Sequence, residues 1–263
     1  QLDCSKYLRR ILHVDAGERL AVVEPGVVLD ELNEHVKPLG LHFAPDVATS
    51  SRATIGGMIA NNSCGARSVM FGRTVDHVMA MQVVLSDGGV CNWGEADRAV
   101  LLSRNNRFAS DLGSRCEATL AHVRGTLADE IEARFPKVLR SNGGYALDRL
   151  RHMDGRINAE TIICGSEGTL GIVVGAVLKL TPLPKCRGLV VAHFADLLEA
   201  LTATPLILEH KPAAVELLDR LLIDAARKNS ALANRIGIVQ DQPGGVLIVE
   251  LFDDDTKTLD RRL

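Results

Sequence analysis

The chain has 263 residues, 46% hydrophobic and 24% charged, with a formal net charge of −3. That is enough for one large or two modest globular domains, and it gives no electrostatic reason to expect nucleic acid. Apolar runs such as "GIVVGAVLKL", broken by Lys179, are too short to span a bilayer, and "QLDCSKYLRR" lacks the apolar core of a signal segment. In chain order, "ILHVD" and "LAVVEPG" predict short strands bounded by Gly17 and by Pro25-Gly26. "VVLDELNEHVKPLG" sets Val28, Leu32 and Val36 four apart on one helical face and ends near Pro38 and Gly40. "HVMAMQVVLSDGGVCNW" reads as a hairpin turning at Asp87-Gly88, and residues 95–135 read as helical, most clearly in "ATLAHVRGTLADEIEARF". "GIVVGAVLKL" has the pattern of a buried strand, and "TPLP" marks a boundary. Beyond it, "GLVVAHF", "DLLEALTATPLILEHK", "AAVELLD", "RLLIDAARK" and "GVLIVELF" predict alternating strands and helices of a second α/β unit.

Between the first helix and the hairpin lies "PDVATSSRATIGGMIANNSCGARSVMFG", residues 45–72, dominated by small, polar and glycine positions. A segment this long with so few core formers is usually functional or disordered. Ile55, Met58, Ile59, Val69, Met70 and Phe71 argue for order. If Gly56-Gly57 open a short helix, their amides are expected to be free and to receive an anion such as a pyrophosphate, with Thr54, Asn61, Asn62 and Ser63 adding hydrogen bonds. A helix contact packed through small residues explains the same pattern equally well. The sequence has no GxxxxGK[ST] and no GxGxxG, which excludes a P-loop and a dinucleotide Rossmann fingerprint. "CGSEG" falls one glycine short of a nucleophile elbow, so Ser166 is a poor nucleophile. The six cysteines contain no CxxC and the eight histidines no HxxxH, so neither a disulfide framework nor a metal site is expected, and no catalytic residue is nominated.

The stretch from "PDVATSSRATIGGMIANNSCGARSVMFGRTVDHV" to "VVLSDG", paired with "GSEGTLGIVVGAVLKLTPLP", resembles the FAD-binding domain of the vanillyl-alcohol oxidase superfamily. Within it, the match is to FAD-linked D-2-hydroxyacid dehydrogenases: glycolate oxidase, D-lactate and D-2-hydroxyglutarate dehydrogenases. "EIEARFPKVLRSNGGYALDRL" resembles the long members, which fuse a flavin module to an iron–sulfur module. The resemblance implies an α+β fold, with an FAD-binding domain of the PCMH type over residues 1–184 that lacks its first subdomain. The start of an α/β cap domain is expected over 185–263. FAD is the implied cofactor, and an iron–sulfur cluster is implied only for a longer parent.

Carried over by motif, Pro45, Asp46 and Thr49 match the loop along the flavin, and Thr54, Ile55, Gly56 and Gly57 the pyrophosphate-side turn. Asn61, Asn62 and Gly65 continue that wall, and Phe71-Gly72 stands where a Tyr-Gly is usual. Glu167, Gly168, Gly171 and Ile172 match the turn at the adenosine half, with Glu167 suited to a ribose hydroxyl. His77, Arg140, Asn142 and Tyr145 are further candidates, although packing or a simple turn explains them as well. Cys64, Cys164 and Trp93 read as packing residues. The implied reaction is oxidation of an (R)-2-hydroxy acid, with electrons leaving through an iron–sulfur module or the quinone pool. The implied setting is the cytoplasm or the periphery of the inner membrane. The family's "RGGGTS"-like loop and the cap's histidine motifs are absent from the sequence, so it reads as a middle portion of such an enzyme, and the chain alone is expected to be inactive. Unpaired strand edges and apolar surface are then expected to cause association or disorder at the termini. An alcohol or sugar oxidase of the superfamily, or a folded module that no longer binds FAD, are the competing expectations.

Overall fold

The computed structural model describes residues 2–105, 111–153 and 156–263. Its elements run β1 (Ile11–Asp15), β2 (Leu20–Val23), α1 (Leu29–Val36), β3 (Leu41–His42), α2 (Ile55–Asn61), α3 (Ser68–Phe71), β4 (Val78–Val84) and β5 (Val90–Gly94). They continue with α4 (Ala96–Ala99), α5 (Asp111–Thr126), α6 (Ala128–Arg134), β6 (His152–Met153), β7 (Arg156–Ile157), α7 (Glu160–Ile163), β8 (Ile172–Lys179) and β9 (Thr181–Pro182). Last come β10 (Cys186–Phe194), α8 (Leu197–Glu209), β11 (Ala214–Asp219), α9 (Arg220–Lys228), β12 (Gly245–Asp253) and α10 (Thr256–Arg262). The chain divides into two compact units. Gln1–Gly65 with Arg73–Leu183 forms the first, and Ala66–Gly72 with Pro184–Leu263 the second.

The first unit is built on a five-stranded antiparallel sheet of order β1-β2-β8-β4-β5. β2 reads as an unbroken apolar run because both of its faces are covered. Ala21 and Val23 join the main core, while Leu20 and Val22 pack with Ala80, Ala99, Leu102 and Val177 on the other side. The main core takes Leu29, Leu32 and Val36 from α1, and Ile55, Met58 and Ile59 from α2. Val28 is the N-cap of α1 rather than part of its buried stripe, and Leu29 takes the place expected of it. The hairpin turns at Gly88, with a φ of 78°. The predicted helical stretch 95–135 holds α4, α5 and α6, and its residues 106–110 lie outside the described ones.

The second unit is a three-stranded antiparallel sheet of order β10-β12-β11. The period-two alternation of β12 sends Leu247 and Val249 towards Ala200 of α8, and Val246 and Ile248 towards Ile223 of α9. Ala66–Gly72 is held within this unit by a forked pair, in which Arg67 Nε and Nη2 donate to Glu250 at 2.8 and 3.1 Å. Phe71 packs on Phe252 with ring centroids 6.3 Å apart.

Candidate functional site

Helix α2 has two ends with different chemistry. At its N-terminus the first-turn amides all have protein acceptors. Ile55 N–H donates to Val27 O at 2.8 Å, Gly56 N–H to Pro25 O at 2.7 Å, and Met58 N–H to Thr54 O at 2.9 Å. Gly57 N–H donates to the capping Thr54 Oγ1 at 3.3 Å. The expectation that Gly56 and Gly57 offer free amides to an anion is therefore corrected. The turn at Pro25–Val27, bridged to Thr54 through Val28, consumes the amides first. A Cβ at Gly56 would lie 2.6 Å from Pro25 Cβ, so glycine is required there by packing of the chain on itself. Ile55 is fully buried in the core.

At the C-terminal end of α2 the two glycine-rich patches meet. Asn62 closes the helix in the left-handed conformation, with a φ of 47°. Ile59 O accepts from Gly165 N–H, and Ala60 O from Glu167 N–H, each at 2.9 Å, which docks the "CGSEG" turn on the helix end. A third segment joins them. Asn142 Nδ2 donates to Asn62 O at 3.2 Å, Asn62 Nδ2 to Asn142 Oδ1 at 3.4 Å, and the Tyr145 hydroxyl sits 2.9 Å from Thr169 Oγ1. Arg73 Nη1 donates to Ser141 O and to Asn142 Oδ1. Glu167 and Gly168 both take positive φ, 52° and 77°, and nothing lies within 4 Å of where a Cβ on Gly168 would be. Residues 167–170 are exposed, so this turn presents open backbone beside exposed Asn61.

Pro45 is buried and Asp46 half-buried. The Asp46 carbonyl would lie 2.0 Å from a Cβ on Gly65, so that glycine is fixed by a close backbone crossing. Thr49 is exposed, and its carbonyl accepts from Arg52 and Ala53 in a local turn. A Cβ on Gly171 would meet Val83 Cγ1 at 2.6 Å, and Ile172 begins β8 with 41% exposure. Phe71 and Gly72 belong to the second unit and are not part of the convergence at Asn62. His77 is buried edge-on to Phe43, Trp93 donates from Nε1 to Glu117 Oε1 at 2.7 Å, and Arg140 is exposed. Ser166 is buried at 4% exposure, as a non-nucleophile would be. Arg73 is the functional candidate that sequence reasoning missed. Its only local signal is its place directly after Gly72, which does not reveal that it is buried.

Ahead of the turn, α7 and its C-cap Cys164 carry two perturbed groups. Burial, with the charge of Glu95 adding to it, pushes the Glu160 carboxyl up to about 7, and Glu160 Oε2 has no hydrogen-bond partner. Burial, then the charges of Glu160 and Asp76, push the Cys164 thiol well up, so it is an inert packing group. Among the described residues, no three His, Cys, Asp or Glu side chains gather as a metal site. No helix of the described residues is long and apolar enough to cross a membrane.

Residues 1–94 match the family model described as "FAD binding domain". The chain is 34% identical over 97% of its length to D-2-hydroxyglutarate dehydrogenase of Pseudomonas putida, and 32% identical over its whole length to that of Escherichia coli. It is 29% identical over 82% of its length to glycolate oxidase subunit GlcD of Bacillus subtilis. It spans 25%, 26% and 35% of those three proteins, respectively. Among solved structures, alkyldihydroxyacetonephosphate synthase matches 97% of the chain and 38% of its own with a TM-score of 0.60 at 18% identity, a likeness of fold. The chain therefore carries FAD-binding-domain sequence and is a homologue of FAD-linked dehydrogenases that act on CH–OH groups.

Proposed function

We propose that the chain is the part of an FAD-dependent dehydrogenase that lays one wall of the flavin site, in an enzyme oxidising an (R)-2-hydroxy acid to the 2-keto acid. D-2-Hydroxyglutarate ranks first as substrate, ahead of D-lactate and glycolate, because the match to D-2-hydroxyglutarate dehydrogenases runs through residues 185–263 as well as through the cofactor motifs. The observation that carries the reading is the convergence at Asn62: two motifs about a hundred residues apart in sequence share hydrogen bonds and leave the Gly168 backbone open.

Gly168 and its neighbours fit a flat, hydrogen-bonding cofactor, because a positive φ and an absent side chain allow contact along bare backbone. Glu167 supplies a carboxylate that can accept from two ribose hydroxyls, and Asn61 and Asn62 continue the polar wall. The N-terminal turn of α2 does not fit a pyrophosphate, since its amides are used within the chain. When bound, the flavin would supply the two-electron chemistry, taking a hydride from the substrate Cα. The residues of this chain bind and orient; none is assigned proton transfer. Electrons would leave through an iron–sulfur module or the quinone pool.

The test has two stages. Purified chain titrated with FAD is expected to quench flavin fluorescence saturably; a colourless chain that ignores FAD would support the non-catalytic module instead. In a longer protein containing this chain, stopped-flow mixing with 2-hydroxy acids is expected to bleach the flavin, fastest with D-2-hydroxyglutarate. Bleaching by sugars or simple alcohols alone would refute the hydroxyacid assignment.

A further inference from the structure

Arg73 is 5% exposed, yet it makes no ion pair with any described residue. Its Nη1 is satisfied by neutral acceptors, the Ser141 carbonyl and Asn142 Oδ1, while Nε is enclosed without an acceptor. The adjacent acid is already committed: Asp76 Oδ2 accepts the backbone N–H of Arg73 at 2.8 Å, and Oδ1 pairs with Arg149. A guanidinium stays protonated at any physiological pH, and a charge taken out of water without a counter-charge is costly. A guanidinium enclosed with neutral acceptors alone calls for an anion.

The cover over that charge is thin. No helix or strand lies between Arg134 and Leu147. Asn142, Gly143, Gly144 and Tyr145 are exposed, and nothing lies within 4 Å of where side chains on the two glycines would be. Apart from Arg73, the strap is tied by the Asn62–Asn142 amide pair and the Tyr145–Thr169 hydroxyls. We propose that Arg73 is the anion-binding residue of this site, and that the strap Ser141–Tyr145 yields to the anion. The Ser141 carbonyl and the Asn142 amide oxygen hold, as neutral substitutes, acceptor positions that two oxygens of a phosphate or carboxylate would take. A guanidinium fork prefers such paired oxygens, and the exchange of neutral for charged acceptors strengthens each bond. The proposal does not rest on the flavin reading, since its probes contain no flavin.

The experiment titrates the 263-residue chain with inorganic pyrophosphate and, separately, with D-lactate, against sodium chloride at matched ionic strength. Binding is read by calorimetry and the strap by hydrogen–deuterium exchange. One probe is expected to bind and to reduce protection at Ser141–Tyr145: pyrophosphate if the natural anion is a phosphate group, lactate if it is a carboxylate. Arg73→Met is expected to weaken that probe by roughly ten- to a hundredfold, and Arg73→Lys by less. Binding by neither probe, equal affinity in Arg73→Met, or a strap whose protection is unchanged on binding would overturn the proposal. The exchange measurement on the unaltered chain stands even if Arg73→Met fails to fold.

Discussion

At the scale of single residues, glycines that look alike in sequence do different work. Gly56 and Gly168 each sit in a patch of small residues, but one is pressed on Pro25 and the other faces open space. Gly56→Ala is expected to destabilise the chain by roughly 1–3 kcal/mol through overpacking, with the FAD affinity of the folded protein preserved. Gly168→Ala meets no atom, yet its φ of 77° costs an L-residue about 1–2 kcal/mol, and it should weaken FAD binding. Denaturant melts beside FAD titrations of both variants separate the two roles; equal FAD affinities would remove Gly168 from the site. Glu160 gives a second prediction. Its folded-state value of about 7 stands above the ordinary 4.5, so the native state binds the extra proton between those pH values. Stability is therefore full below about pH 4.5 from this group and falls as pH rises through 7, by roughly 3 kcal/mol in total. Glu160→Gln should flatten that part of the pH–stability profile and raise stability at pH 8; an unchanged slope would mean that Glu160 finds a partner. The sequence shows that glycines cluster here, but not which ones are enclosed, because the enclosing atoms of Pro25, Asp46 and Val83 come from distant segments.

At the scale of elements, the strands and helices of both units are legible from period and punctuation, and their caps explain why. In the second unit α8, α9 and α10 each follow a strand or turn through an aspartate. Asp196 accepts from Glu199 N–H at 2.9 Å, Asp219 from Leu222 N–H at 2.7 Å, and Asp255 from Thr258 N–H at 2.8 Å. Asp219→Ala is expected to cost about 1 kcal/mol, read as a lower urea midpoint with an unchanged slope. Helix α8 is where pattern misleads. "LLEALTATPLILE" is apolar almost all round, which usually signals full burial, yet Leu198 is 72% and Leu206 62% exposed, and only Ala200 is fully enclosed. Pro205 inside that helix removes a backbone donor. Pro205→Ala should stabilise α8, by up to about 3 kcal/mol, provided the ring itself packs on nothing; a fall in melting temperature would show that it does.

At the scale of the whole chain, the segment 45–72 that reads as one cofactor stretch is divided three ways. Its first part packs α2 onto Pro25–Val27, its middle meets the "CGSEG" turn at Asn62, and Ala66–Gly72 belongs to the second unit. Local composition cannot show this, because each assignment depends on a partner outside the segment, and two of the three on one more than a hundred residues away; Arg67 and Glu250 are separated by 183 positions. The neck of the excursion is closed within the first unit, where Thr74 donates to Ser63 O from its amide at 3.0 Å and from Oγ1 at 2.7 Å. A chain ended at Leu183 therefore keeps that neck while losing Glu250 and Phe252, the partners of Arg67 and Phe71. Local opening is governed by buried apolar contacts and enclosed hydrogen bonds, and the shortened chain takes from residues 66–72 the forked pair to Glu250 and the packing on Phe252. Limited proteolysis should cut it there well before the sheet of the first unit, and the full chain should resist at the same positions. Arg67→Ala in the full chain should fall between the two, since Phe71 still has Phe252. Equal cleavage of the full and shortened chains at 66–72 would mean that the segment is held by the first unit after all.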